Sequence, residues 1–129
     1  MQIVAPLSWG ELIDKITILE IKLDKLSDGP QRANVRREFD ALVDVRDRHA
    51  PSPQSWQAAA TELKAINEIL WKVEDDIRDC ERDKRFDAHF IELARSVYRT
   101  NDRRAQAKRR LNEAMGSALV EEKLYKSYD

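Results

Sequence analysis

The chain has 129 residues, enough for one domain with its own core and too few for two. Charged residues make up 36 %, yet 23 bases against 24 acids leave a formal net charge of −1, which argues against a general nucleic-acid binder. Cys80 is the only cysteine, so neither an internal disulfide nor a zinc set is available, and three glycines with four prolines point to few, long helices.

Residues 1–7 form a short apolar lead with no basic region and no long apolar run. Neither a signal peptide nor a membrane span is expected, and the chain reads as cytoplasmic. Cys80 on an apolar seam fits a reducing compartment.

Ser8 followed by Glu11 has capping-box spacing: the hydroxyl accepts from the first turn while the carboxylate reaches back. A first helix is expected to about Ser27, with Leu12, Ile16, Leu19, Leu23 and Leu26 on one seam. Ile13, Ile18 and Ile21 widen that surface, which predicts a central helix with more than one partner. Asp28-Gly29-Pro30 stops it, and a second helix follows from about Gln31 to His49.

Pro51-Ser52-Pro53 leads to a third helix expected over 54–84, with Trp56, Ala59, Leu63, Ile66, Leu70, Val73, Ile77 and Cys80 spaced alternately by three and four. Asp87 is a suitable N-cap for a fourth helix reaching Met115. Its seam is predicted as Phe90, Ala94, Val97, Asn101, Arg104, Lys108, Leu111 and Met115, polar in its middle. Gly116-Ser117 ends it, and the tail, 117–129, is expected to form from Ala118 a short amphipathic helix folding back on the bundle, with an ordered arm as the alternative.

Helices of ~28 residues span roughly 42 Å and helices of ~18 residues roughly 27 Å. Two short helices therefore cover only part of a long hairpin. The expectation is an all-α, antiparallel bundle dominated by a coiled-coil-like hairpin, with 1–129 as a single domain. The bare hairpin tip would carry Ile77, Phe86, Phe90 and Ile91, a patch suited to self-association as a homodimer.

Asn101, Arg104 and Lys108 occupy a seam, so they must be hydrogen-bonded, with Asn67 and Glu68 the expected partners and helix register the expected role. The other bases of that helix, Arg99, Arg103, Arg109 and Arg110, form a stripe that is read as pairing with acids of the third helix. Glu74, Asp75, Asp76, Asp79, Glu81 and Asp83, joined by Glu11 and Asp14, invite a magnesium reading that superficially resembles all-α nucleoside triphosphate pyrophosphatases. Arg78 and Arg82 interrupt that cluster and no Glu-Glu-x-x-Glu run occurs, so no metal and no cofactor is assigned. There is no glycine-rich phosphate loop, no Gly-x-Ser-x-Gly and no Glu-x-x-His.

The run Ser8-Trp9-Gly10-Glu11-Leu12-Ile13-Asp14-Lys15-Ile16-Thr17-Ile18-Leu19-Glu20-Ile21-Lys22 is distinctive. With 90–98, Asn101-Asp102 and Leu119-Val120-Glu121-Glu122-Lys123, it resembles a small family of uncharacterised bacterial proteins across nearly the whole chain. Leu124 departs from that pattern, standing where a small polar residue is expected. The resemblance implies no assigned activity and a setting among surface-polysaccharide and glycosyltransferase proteins, which suits an accessory or scaffold protein. Glu11, Asp14, Lys15, Thr17 and Glu20 then form a polar set richer than capping needs. With Asn101, Asp102, Arg104, Lys108, Glu121, Glu122 and Tyr125, they are expected to build a patch that recognises a partner protein or a sugar phosphate. A non-catalytic interaction or adaptor protein is the leading reading. A metal-dependent phosphohydrolase acting on a nucleotide or sugar phosphate is the alternative.

Overall fold

The computed structural model describes residues 1–128; Asp129, the last residue of the expected tail, lies outside them. Four helices follow one another: α1 (Trp9–Lys25), α2 (Pro30–His49), α3 (Gln57–Arg82) and α4 (Ala88–Ala114). A single 3₁₀ turn, Pro53–Ser55, precedes α3, and there is no strand among the described residues. The architecture is all-α, with a long α3–α4 hairpin.

Local chemistry sets the ends. Ser8 Oγ accepts from Glu11 N at 3.2 Å and Asp87 Oδ1 accepts from Phe90 N at 3.3 Å, so both expected N-caps are made. Pro30 opens α2 at the position where its missing N–H costs nothing. The third helix starts at Gln57 rather than Gln54, because the two prolines before it favour a 3₁₀ turn whose end is fixed by Trp56 Nε1 donating to Pro51 O at 3.0 Å. At the hairpin tip Lys84 adopts φ 54°, and Arg85 N reaches back to Cys80 O at 2.9 Å, closing α3 with a left-handed cap.

α1 touches all three other helices, as its wide apolar surface requires. Leu12, Ile13 and Ile16 meet Leu63 and Ile66 of α3 and Ala107, Leu111 and Met115 of α4 in one core cluster. α2 packs on α1 and none of its residues is fully buried; Phe39, Leu42 and Val43 rest half-buried against the core.

Two expectations need correction. Towards the tip the buried face of α4 is Leu93, Thr100 and Ala107, while Ala94 is exposed and Phe90 and Val97 are only half-buried. Apolar residues lie on adjacent stripes there, and α4 turns to serve both α3 and α1 instead of one seam. The tail, moreover, is not helical: residues 117–128 run back along α4. Its start is tied to α1, where Ser117 Oγ accepts from Trp9 N at 3.1 Å, and its carboxylates pair with bases of α4. Those contacts take the place of a helical ladder.

Candidate functional site

The beginning of α1 and the end of α4 cross almost in backbone contact. A Cβ on Gly10 would lie 2.5 Å from the carbonyl oxygen of Lys108. The approach lets α4 complete the cap of α1: Gly10 N donates to Asn112 Oδ1 at 2.6 Å beside the Trp9–Ser117 bond. The Glu11 carboxylate, freed from the expected capping box, turns instead to Lys108 Nζ at 2.7 Å.

One turn further along α1, Asp14 is 1 % exposed and is the hub of the molecule. Its Oδ1 accepts from Arg104 Nε at 3.0 Å and from Asn67 Nδ2 at 2.9 Å, and its Oδ2 accepts from Arg104 Nη2 at 2.5 Å. Lys108 Nζ stands 3.9 Å from the same Oδ2. Asn67 also donates to Thr17 Oγ1 at 3.0 Å, and that hydroxyl donates to the Asp14 carbonyl at 2.8 Å. Both carboxylate oxygens are thus occupied by fixed donors, and a planar guanidinium binds them in a two-point fork. The hydrogen bonds it donates to Asp14 hold the Arg104 guanidinium above its ordinary range. No buried side-chain nitrogen or oxygen among the described residues lacks a partner.

Of the residues singled out from the sequence, Glu11, Asp14, Lys15, Arg104, Lys108 and Glu121 come together. Lys15 pairs with Glu11 at 3.8 Å, and Glu121 reaches Lys108 at 3.4 Å. Glu20 stands apart in a pair with Lys64 at 2.9 Å, an ammonium that its carboxylate holds above the ordinary range. Asn101, Asp102 and Tyr125 line a cleft between α4 and the tail, and Glu122 pairs with Arg109 at 3.0 Å. Ile77, Phe86, Phe90 and Ile91 lie at the hairpin tip, away from this centre; Phe86 and Ile91 are 53 % and 57 % exposed, and Phe86 meets the Phe90 ring edge-on.

Arg104 and Lys108 find their partners on α1, not at Asn67 and Glu68 as expected, because α1 fills the groove that a two-helix reading leaves open. Asn67 joins the network through Asp14. The α4 stripe does meet α3 once, at Arg110–Glu62, 2.7 Å. Gly10, Asn112 and Ser117 are not legible from the sequence as site residues; a glycine in the first turn of an apolar helix is the one signal of a close approach.

Glu121 is held below the usual carboxylate range, first by its hydrogen bond from Lys123 and then by Lys108. A carboxyl depressed in the folded state contributes stability above its unfolded value, near 4.5, and loses it as the pH falls through the folded value. Acidification from neutrality to below that unfolded value is therefore expected to release the tail before the helices melt. Backbone chemical shifts of residues 118–128 followed beside those of α4 check this; simultaneous change of both would contradict it.

The fold and site define an all-helical bundle clamped by one buried acid–base centre. The chain belongs to the family of unknown function DUF6165, whose model matches residues 3–128. No curated protein and no solved structure matches it.

Proposed function

We propose that the protein is a non-catalytic interaction or adaptor protein. The observation that carries this reading is the enclosure of Asp14: a general base, nucleophile or metal ligand must meet its substrate or ion, and here the carboxylate is 1 % exposed and accepts three hydrogen bonds from Arg104 and Asn67. Glu11 likewise faces Lys108, so two of the carboxylates on which a metal-dependent phosphohydrolase would rest, those of α1, are answered by cations. Among the described residues no group of three or more His, Cys, Asp or Glu is placed to hold a metal ion. What the surface offers is apolar: Ile3 and Val4 on the N-terminal lead, Phe86 and Ile91 at the tip. The tip is the proposed face for a second copy of the chain. The family resemblance favours a place beside polysaccharide or glycosyltransferase machinery. No helix among the described residues is long and apolar enough to cross a membrane.

Thermal unfolding at two protein concentrations, with and without magnesium plus nucleoside triphosphates or nucleotide sugars, tests this. A midpoint that rises with protein concentration and ignores the ligands is expected. A ligand that saturates a native site at a hundredfold excess over its Kd adds about 2.7 kcal/mol. Such a shift, lost in Glu11→Gln, would overturn the reading.

A further inference from the structure

Beyond Ser117 the chain leaves nothing in the core. Every residue from Ala118 to Tyr128 is exposed, Leu124 at 97 % and Tyr125 at 60 %. The segment is seated all the same, running antiparallel to α4. Glu121 meets Lys108 at 3.4 Å, its neighbour Glu122 meets Arg109 at 3.0 Å, and the Tyr128 hydroxyl donates to Asp102 at 2.7 Å. The Tyr128 ring lies 4.9 Å from that of Tyr98. Two successive acids on two successive bases, followed by a tyrosine, form a matched set held by charge and hydrogen bonds. Exposed pairs of this kind hold weakly.

Displacing the tail would not open the core. Lys108 keeps Glu11 at 2.7 Å, Arg104 keeps Asp14, and Gly116, at φ 65°, ends α4 on its own. An open cleft of about 1030 Å³ lies between tail and helix; its tail wall, 125–128, leaves with the tail, whereas Val97, Tyr98, Asn101, Arg103 and Gln106 on α4 stay. The tail's own Leu124 does not use it.

We infer that this face of α4 docks an extended acidic segment of a partner protein, and that the chain's own tail is the intramolecular competitor. The inference rests on the adaptor reading and names the chemistry of the partner. Charge complementarity decides the class: Lys108 and Arg109 already pair with the two carboxylates of an extended segment, and Arg103 stands on the same helix beside them. A partner segment with the same acids and apolar side chains turned onto Val97 and Tyr98 of α4 gains contacts that the exposed Leu124 leaves unused. The tail, tethered at Gly116, competes at an effective concentration set by its short length.

The test uses the full chain and a fluorescent peptide reproducing residues 117–128, read by anisotropy. The comparison chain carries Glu121→Lys and Glu122→Lys, which repel the tail and leave α4 intact. The peptide is expected to bind that variant about tenfold more tightly than the wild type, the ratio for a tail docked nine-tenths of the time. Adding Arg109→Ala is expected to abolish binding, with circular dichroism to show the helices intact; Arg109→Gln, expected to weaken it several-fold, serves if that chain does not fold. Equal affinity for wild type and tail variant, binding that survives the Arg109 change, or displacement of the peptide by a single-stranded oligonucleotide at lower concentration than by unlabelled peptide would each overturn the inference. Such a failure leaves the adaptor reading standing, because that reading falls only to a ligand-specific shift in unfolding.

Discussion

Asp14→Ala is expected to destabilise the fold by about 3 kcal/mol, the lower end of the range for removing one partner of a buried ion pair. The wild-type carboxylate is fully desolvated and answers three donors on α3 and α4. Its loss leaves one N–H of the Asn67 amide and the inner edge of the Arg104 guanidinium without acceptors in a packed interior, while Asn67 keeps its bond to Thr17. The cost stays at the low end because Arg104 is 28 % exposed at its side chain and can swing part of its charge to water. Lys108 keeps Glu11 in either case. For a domain of this size the thermal midpoint should fall by roughly 10–15 °C, readable by circular dichroism. A fall of less than about 3 °C would mean that the network contributes little.

Gly10→Ala tests the close crossing, and here two effects oppose each other. Alanine is the better helix former by about 1 kcal/mol, so propensity alone predicts a gain. The new Cβ, however, would stand 2.5 Å from the Lys108 carbonyl oxygen and 3.0 Å from its carbon, and backbone cannot swing aside as a side chain can. α1 and α4 must part by roughly 1 Å to restore van der Waals distance. That separation stretches the Gly10–Asn112 and Trp9–Ser117 bonds and loosens Arg104 on Asp14. Overpacking of this kind costs about 1–3 kcal/mol, and the lost bonds place this case at the upper end, so steric conflict wins. Urea denaturation gives the sign directly. The substitution should lower the midpoint, and Asn112→Ala on the same background should then cost less than it does in the wild type.

The helices were legible because their signals are local. Ser8 and Asp87 announce caps through side chains that bond three residues ahead, and Asp28-Gly29-Pro30 breaks the chain whatever surrounds it. The breadth of the α1 apolar surface likewise foretold a helix with several neighbours. What stayed hidden depends on contacts far apart in sequence. The phase of α4 near its tip was misread because a 3.5-residue rhythm fits either Phe90–Ala94 or Leu93–Thr100, and only the third helix in the bundle chooses. The tail carries enough apolar residues to suggest a helix, yet it is held by partners 13 to 26 residues away. The centre was half visible. A set of charges on an apolar helix and a polar stretch within a seam each asked for a partner, but nothing in the spacing said that they would find each other. Gly10 and Asn112 matter through backbone proximity, which side-chain patterns do not record.

The central claim is that Asp14 and Arg104 act as one structural clamp between α1 and α4. A double-mutant cycle measures it most directly: urea unfolding of the wild type, Asp14→Leu, Arg104→Leu and the double variant. Each single change should cost more than about 2 kcal/mol, and the double variant should recover most of that loss, since a buried pair replaced whole by apolar groups is often close to neutral. Additive losses, with coupling below about 0.5 kcal/mol, would show two independent residues and contradict the clamp.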